Sequence, residues 1–269
     1  MQTRETINCY IINLDSSLER WKSIEQCKGF RNLNVIRVSG VNGAEIQLPH
    51  PDFSDWKYFL FYGRKPTQGE IGCYFSHINV MKKFLESKQT HCIICEDDIQ
   101  PVADFANIVA AALKYSDTWE ILRFYNSRRL TVHYADLSGG YKLATPLSAG
   151  SLAAAYMINR TAAKKILSRC LPMWKPIDTI LFNDVPFLRE SIVYPFPVKL
   201  NDTAKQSDIN KINQNTNQVR GKIGRYPFPY PAACCFLTVV SWRLYSRTVR
   251  YLYNYSTAIL RRIVPPRQR

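Results

Sequence analysis

Residues 91–98 constrain the fold of this chain more than any other segment. Residues 91–95 read His-Cys-Ile-Ile-Cys, and three consecutive carboxylates, Glu96, Asp97 and Asp98, follow directly. A short apolar run with β-branched residues and no helical period predicts a buried strand. Polar groups at the carboxyl end of such a strand lie where open α/β sheets bind their ligands. The segment therefore predicts an α/β sheet with a polar site at its edge.

Strand and helix patterns alternate along the chain. We predict strands over residues 6–14, 33–38, 91–95, 119–125 and 151–158, and helices over residues 17–26, 73–87 and 161–168. The spacing of Ser16 and Glu19 predicts a capping box at the first helix. Residues 47–65, which are aromatic and interrupted by proline, are expected to be irregular. The alternation predicts the α/β class, with a mostly parallel, Rossmann-type sheet and helices on both faces.

The acidic triplet is the sharpest chemical feature. Three adjacent carboxylates repel one another, and a divalent cation such as Mg²⁺ or Mn²⁺ would offset that repulsion. In an extended segment Glu96 and Asp98 point to one side and Asp97 to the other. Glu96 and Asp98 are therefore the candidate metal ligands, and Asp97 is assigned to a ribose or to a structural contact. The alternative interpretation is a solvated acidic turn or a helix N-terminus.

Two further segments have the composition of ligand-binding loops. The first predicted strand leaves through Asn13 and Leu14 into a helix that carries Arg20, and such a turn can present backbone N–H groups to phosphate. An ordinary capped surface helix is the alternative. Two glycines flank Glu70 just before the helix that carries His77, which indicates close backbone approach. These two side chains could face a ligand or each other, although a single histidine is more often a hydrogen-bonded core residue.

Taken together, these segments resemble glycosyltransferase family 25, which includes lipooligosaccharide-synthesis enzymes and collagen galactosyltransferases. The opening Ile-Asn-Leu with a following Glu-Arg, the Gly-Glu-Ile-Gly-Cys with Ser-His, and the Glu-Asp-Asp occur here in the family's order. The matching segments are residues 12–20, 38–43, 69–77, 96–98, 150–158, 176–178 and 207–209. The resemblance covers roughly residues 6–210 and does not extend into the C-terminal tail.

The resemblance implies a GT-A-like fold, a UDP-sugar donor and inversion at the anomeric carbon. It implies transfer of a hexose, with galactose as the expected sugar, to a lipooligosaccharide acceptor. Asp178 is the candidate base for the acceptor hydroxyl and Glu70 the reserve. Glu96 and Asp98 would hold Mn²⁺ or Mg²⁺. The donor site is assigned to Asn13, Leu14, Arg20, Gly40, His77 and Asp97.

Charge divides the chain into two parts. The formal net charge is +15, and eleven basic residues with no acidic one follow Asp208. Arg243, Arg247 and Arg250 recur at helical spacing beside aromatic residues, a pattern typical of a helix lying on an anionic membrane. We therefore expect a catalytic domain over residues 1–215 and a basic helical tail over residues 216–269. The alternative interpretation is a helix that packs on the catalytic domain and exposes its basic face to solvent.

The same features bear on location and partners. The chain has eight cysteines, which is not the pattern of a disulfide scaffold in a protein of this size. Cys92 and Cys95 are separated by an odd number of strand positions and should face opposite sides. No signal peptide or membrane span is predicted, so we expect a peripheral protein on the inner face of a bacterial cytoplasmic membrane, with a lipid-linked oligosaccharide acceptor. A nucleotide- or nucleic-acid-binding protein without transferase activity is the alternative, but it leaves the acidic triplet without a role, and nucleic acid is not an expected partner.

Overall fold

An eight-stranded sheet forms the centre of the protein. The computed structural model describes residues 6–62, 64–127, 131–147, 150–185, 187–201, 252–257 and 259–260. The strands are β1 (Asn8–Asn13), β2 (Asn34–Ser39), β3 (His91–Glu96), β4 (Ile99–Pro101), β5 (Ile121–Arg123), β6 (Thr131–Asp136), β7 (Lys142–Pro146), β8 (Ala155–Asn159), β9 (Glu190–Tyr194) and β10 (Val198–Leu200). The main sheet has the order β2-β1-β3-β8-β5-β9-β7-β6, and β4 pairs with β10 separately.

The sheet is mixed, so the expectation of a mostly parallel sheet is wrong. The pairs β1–β2, β1–β3 and β5–β9 are parallel, whereas β3–β8, β5–β8, β7–β9 and β6–β7 are antiparallel. Strand β8 lies between β3 and β5 and runs against both, and β6 and β7 form a hairpin on the far edge. A buried apolar run is compatible with either direction of pairing, so composition alone did not reveal the reversal.

Helices cover both faces of the sheet, as predicted. They are α1 (Leu18–Gln26), α2 (Asp55–Tyr62), α3 (Gln68–Glu86), α4 (Phe105–Leu113), α5 (Arg160–Leu167) and the short α6 (Ile177–Thr179), which continues as a π-helical turn over Ile180–Asp184. Helices α3 and α5 pack in one hydrophobic core, and α1 and α4 in the other. A mixed α/β fold with a large central sheet results, consistent with a GT-A-like fold.

The two cores follow from the alternation of side chains along each strand. In β3, Cys92 and Ile94 pack on the side of α3, whereas Ile93 and Cys95 pack on the side of α4. Every one of these four side chains is fully buried. The prediction that Cys92 and Cys95 face opposite sides is therefore confirmed. The same period sends Glu96 toward α3, and this direction decides what Glu96 contacts.

Helix α2 forms within residues 47–65, where irregular structure was expected. Tertiary contacts explain the helix: Tyr58 is fully buried, its ring stacks on Tyr62, and Phe53 forms a β-bridge with Met173 just before the helix. Aromatic residues have modest helix propensity, and packing of one helix face overrides that preference. The exposed side of the helix carries Trp56 and Phe59.

Helix starts differ from the sequence prediction in two places. Helix α3 begins at Gln68, five positions before the predicted start, because Thr67 and Glu70 form a capping box there. Helix α1 begins at Leu18, but its N-cap residue is Ser17 and no side chain caps it, so the predicted box of Ser16 and Glu19 is absent. The chain enters α1 through a turn in which Ser17 N–H donates to the Leu14 carbonyl oxygen at 2.8 Å.

The C-terminal tail is described only over residues 252–257 and 259–260, which are helical. Asn254 is buried and its side chain donates to the Pro146 carbonyl oxygen at 2.8 Å. Tyr253 contacts the Phe187 ring edge to face. The predicted boundary at residues 215/216 and the arginines 243, 247 and 250 lie outside the described residues. In the part of the chain that the structure describes, no helix is both long and apolar enough to cross a bilayer.

Candidate functional site

Strand ends converge at one edge of the sheet. The parallel strands β1 and β3 end side by side, with Ile12 opposite Glu96. The reversed strand β8 begins at the same edge, where Glu96 N–H donates to the Ala154 carbonyl oxygen at 2.9 Å. Strand β5 also ends there, since Phe124 N–H donates to the Ala155 carbonyl oxygen. The exits of three strands and the entry of a fourth therefore surround the acidic triplet.

Glu96 lies against helix α3. The Cys73 thiol donates to Glu96 Oε1 at 3.5 Å, and His77 Nε2 lies 3.4 Å from the same oxygen. On its other side His77 Nδ1 lies 2.8 Å from the Tyr156 hydroxyl. Burial by itself would raise the pKa of Glu96, but the contacts with His77 and Cys73 outweigh it and hold the pKa below its ordinary value. Glu96 is therefore a carboxylate with a defined orientation.

Asp98 has a carboxylate oxygen without a hydrogen-bond donor among the described residues. Its Oδ1 atom is buried, and none of the described groups donates a hydrogen bond to it. Burial, together with the charges of Glu96 and Asp97, raises the pKa of Asp98 to about 7. A buried carboxylate oxygen without a donor is costly, and a hard divalent cation would satisfy it. Asp98 Oδ1 therefore fits the oxygen chemistry that Mn²⁺ or Mg²⁺ requires, and Glu96, two positions earlier in the chain, is the second candidate ligand.

Asp97 points to the opposite side and connects β3 to β1 and α1. Asn13 donates to its Oδ2 at 2.6 Å, and Arg20 donates to its Oδ1 at 3.0 Å. Arg37 in turn donates to Asn13 Oδ1 at 2.9 Å. About a third of the Arg20 side chain stays exposed. The structure therefore brings together the predicted donor-binding residues Asn13, Arg20 and Asp97 and shows a structural contact for Asp97.

Leu14 and Gly40 lie beside this network at the ends of β1 and β2. Gly40 N–H donates to the Asn13 carbonyl oxygen at 2.9 Å, and a Cβ on Gly40 would lie 3.3 Å from Leu14 N. Leu14 is 39% exposed. His77, the remaining predicted donor-binding residue, is fully buried, and its ring nitrogens contact Glu96 and Tyr156. Its described contacts orient other side chains at the site.

Asp178, the candidate base, reaches the same edge from helix α6. Its Oδ2 accepts a hydrogen bond from Leu152 N–H at 3.1 Å, and Leu152 has a left-handed backbone with φ of 76°. The pKa of the Cys73 thiol shows the proximity of the carboxylates: burial and Glu96 raise it, and Asp178 and Asp98 add to the effect. Of these carboxylates, Glu96 is the one in direct contact with the Cys73 thiol.

Glu70, the reserve base, is held at the start of α3. Arg64 donates to both of its carboxylate oxygens, at 2.6 and 2.7 Å, and Thr67 N–H donates to Oε2 at 2.8 Å. Burial would raise its pKa, but these donors outweigh it and lower the pKa. Glu70 and His77 do not pair with each other. The predicted close approach at this helix start is confirmed, since a Cβ on Gly72 would lie 2.4 Å from the Val41 carbonyl oxygen.

Sequence reasoning missed several polar residues at this edge. Cys73 precedes His77 by one helical turn, so their shared face was readable from the sequence. Arg123 is buried over the Phe182 ring and donates to the Ser151 carbonyl oxygen at 2.9 Å, which holds the loop before β8. Asn126 lies beside Gly150 with both amide atoms unpaired among the described residues. Nothing in the sequence pattern identified Arg123 or Asn126.

Comparison with known proteins identifies the family to which this sequence is similar. Residues 6–181 match the family model described as "Glycosyltransferase family 25 (LPS biosynthesis protein)". A "Glycosyltransferase 25 family member" of Anopheles gambiae is 26% identical over 194 residues, which is 66% of this chain and 32% of that protein. One of Aedes aegypti is 27% identical over 193 residues, 66% of this chain and 31% of that protein. "Procollagen galactosyltransferase 1-A" of Xenopus laevis is 26% identical over 157 residues, 56% of this chain and 24% of that protein.

These matches define the chain as one of the glycosyltransferase class. The family match spans more than half of the chain and includes the acidic triplet and Asp178. The chain belongs to glycosyltransferase family 25. Its matched region spans about a third or less of the length of the curated relatives.

Proposed function

We propose that this protein transfers a hexose from a UDP-sugar to an acceptor hydroxyl, with inversion at the anomeric carbon. The observation that carries the proposal is the unpaired, buried Oδ1 of Asp98 beside Glu96, at the sheet edge where strand ends converge. Family membership and the galactosyltransferase name of one relative support glycosyl transfer. Galactose is the proposed hexose on that basis.

Residues of this chain would bind and orient the donor. Glu96 and Asp98 are the proposed ligands of Mn²⁺ or Mg²⁺, and a bound cation would neutralise the charge that develops on the diphosphate leaving group. His77 and Cys73 keep Glu96 in one orientation through hydrogen bonds to Oε1. About a third of the Arg20 side chain is exposed next to Asp97, and it can contact phosphate or ribose from the other side of β3.

Asp178 is the proposed general base. It is only partly buried, and its Oδ2 is oriented by Leu152 N–H while Oδ1 receives a long contact of 3.4 Å from Thr179. A carboxylate oriented in this way can accept the proton of an acceptor hydroxyl as that hydroxyl attacks the anomeric carbon. Glu70 is less suited to the role because Arg64 and Thr67 already donate to both of its oxygens.

The proposed acceptor is a lipid-linked oligosaccharide of the lipooligosaccharide type, reached from the cytoplasmic face of a bacterial membrane. The family description names lipopolysaccharide biosynthesis, and the basic tail after Asp208 suits an anionic surface. The relatives reported above are animal proteins, and the name of one of them specifies procollagen. A procollagen-type peptide is therefore the comparison acceptor in the test below.

A donor screen tests the proposal directly. The full chain is incubated with a panel of UDP-sugars in Mn²⁺ or in EDTA, and release of UDP is measured with and without each acceptor. We expect turnover of one UDP-hexose that requires the cation and increases with the lipid-linked acceptor. Binding of UDP-sugars without turnover would favour the nucleotide-binding alternative. Turnover in EDTA would contradict the proposed metal ligands, and preference for the peptide would contradict the proposed acceptor.

A further inference from the structure

Three different metal-binding side chains meet beside the proposed donor site. Cys73 and His77 lie one turn apart on α3, and Glu96 comes from the end of β3. The Cys73 sulfur, a His77 nitrogen and a Glu96 oxygen all lie within 4.8 Å of one another. The set combines a soft sulfur, an imidazole and a carboxylate, which differs from the all-oxygen set preferred by Mn²⁺ or Mg²⁺.

Two of the three separations between these atoms match those of a tetrahedral zinc site, and the third, from the Cys73 sulfur to the His77 nitrogen, is within 4.8 Å. Zinc bonds of about 2.3 Å to sulfur and about 2.0–2.2 Å to nitrogen and oxygen place tetrahedral ligands about 3.6 Å (S to O) and about 3.4 Å (N to O) apart. The observed separations are 3.5 Å from Cys73 Sγ to Glu96 Oε1 and 3.4 Å from His77 Nε2 to the same oxygen. The hydrogen bonds within the cluster thus hold these atoms at distances that an ion would also require.

The surroundings of the cluster also suit a bound ion. A histidine that binds a metal through one ring nitrogen usually donates from the other to an oxygen, which fixes its tautomer. Here His77 Nδ1 lies 2.8 Å from the Tyr156 hydroxyl, and both side chains are fully buried. The Glu96 side chain is 30% exposed, so an ion can enter from the donor site and keep an open fourth position there.

We propose that Cys73, His77 and Glu96 form a binding site for a thiophilic divalent cation of the Zn²⁺ type, and that its occupation withdraws Glu96 from the oxygen site shared with Asp98. Zinc binds mixed sulfur and nitrogen sites far more tightly than Mn²⁺, which stands lowest in the series of divalent affinities. Zinc therefore competes with the activating cation through one shared carboxylate. The proposed competition for Glu96 rests on the proposed function, whereas the proposed binding of zinc does not.

Cobalt binding to the full chain tests the site without reference to activity. Co²⁺ is titrated into the reduced protein, and the near-ultraviolet absorption of a cobalt–thiolate bond is followed, with Zn²⁺ then used to displace it. We expect the band in wild type and in Cys170→Ser, which removes another buried thiol, and its loss in Cys73→Ser. Tyr156→Phe should weaken Zn²⁺ binding by about 10–100-fold, the effect typical of losing an outer-sphere partner.

Two results of the cobalt titration would overturn the proposed zinc site. A wild-type protein without the cobalt–thiolate band, or a Cys73→Ser protein that retains the band and wild-type zinc affinity, would show that the cluster is only a hydrogen-bonded network. Thermal melts confirm that each variant is folded, and Cys73→Ala replaces Cys73→Ser if the serine variant is not.

Activity assays address the competition. Zinc should inhibit the Mn²⁺-dependent turnover of wild type, and whatever turnover Cys73→Ser shows should resist that inhibition. Zinc that binds without inhibiting turnover would overturn the proposed competition for Glu96 but not the proposed zinc site. Absence of any turnover would contradict the proposed function and leave the cobalt result to decide the site.

Discussion

Replacing Asp98 with asparagine should stabilise the cation-free protein at alkaline pH. Burial, and then the charges of Glu96 and Asp97, raise the pKa of Asp98 from 3.8 to about 7. Between these two values the folded protein holds a proton that the unfolded chain has lost. The free energy of unfolding therefore falls as pH rises through this window, and above it the full cost of the ionised carboxylate is present.

The size of the effect follows from the width of that window. One pKa unit corresponds to about 1.4 kcal/mol, and a change from about pH 5.5 to about pH 8 covers roughly 1.5 units below the folded pKa. Between these two pH values, ionisation of Asp98 should therefore lower the free energy of unfolding of the wild type by up to about 2 kcal/mol. Asp98→Asn should not show this decrease, because asparagine does not ionise. For a chain of this size that difference corresponds to roughly 4–8 °C in Tm.

Thermal or urea unfolding in EDTA at the two pH values measures the difference. Glu70 and Glu96 have pKa values lowered from 4.5, so both stay ionised in the folded and unfolded protein between about pH 5.5 and about pH 8 and do not contribute to the change. Asp136→Asn, which alters an exposed carboxylate, is the matched control. Added Mn²⁺ should raise the Tm of wild type more than that of Asp98→Asn. Parallel pH profiles for wild type and Asp98→Asn would refute the reasoning.

Three other perturbations test the base, the helix start and the tail. Asp178→Asn should lower turnover by about 10²–10⁴ while calorimetry shows retained donor binding, and loss of donor binding would instead place Asp178 in the donor site. Glu70→Gln removes the charge that pairs with Arg64 but leaves an amide oxygen that can still accept from Thr67 N–H, so urea unfolding should show a loss of roughly 2–3 kcal/mol after allowance for the partial exposure of Arg64, with turnover per folded molecule unchanged. A fall in that turnover would identify Glu70 as the base. A chain ending at Tyr230 should stay in the supernatant with anionic liposomes, whereas the full chain should pellet at low salt and be released at about 1 M salt. Equal pelleting would argue against membrane attachment, and unfolding of the shortened chain would favour a tail that packs on the domain, as Asn254 does.

The sequence alone predicted the α/β class and the position of the acidic triplet at a strand end. The period of two in β3 correctly placed Cys92 and Cys95 on opposite faces. The same period separated Glu96 from Asp97, and the structure shows them contacting α3 and α1 respectively. These predictions succeeded because they depend on backbone geometry within one element.

The direction of each strand and its neighbours in the sheet could not be predicted from the sequence in the same way. A buried strand has the same apolar pattern whether its partners are parallel or antiparallel, so the reversal of β8 between β3 and β5 left no local signal. Helix α2 was missed because its stability depends on tertiary packing: Tyr58 is buried in the hydrophobic core that α3 and α5 share, and Phe53 forms a bridge with the distant Met173.

The site itself was decided by tertiary structure. Asn13 and Asp97 are 84 positions apart, and His77 and Tyr156 are 79 apart, yet each pair is hydrogen-bonded. The sequence by itself determined which residue types are present and which face of an element each one occupies. Only the tertiary structure placed Glu96 within reach of Cys73 and His77 and left the buried Asp98 Oδ1 without a donor among the described residues, because contacts between elements depend on how their buried faces pack together.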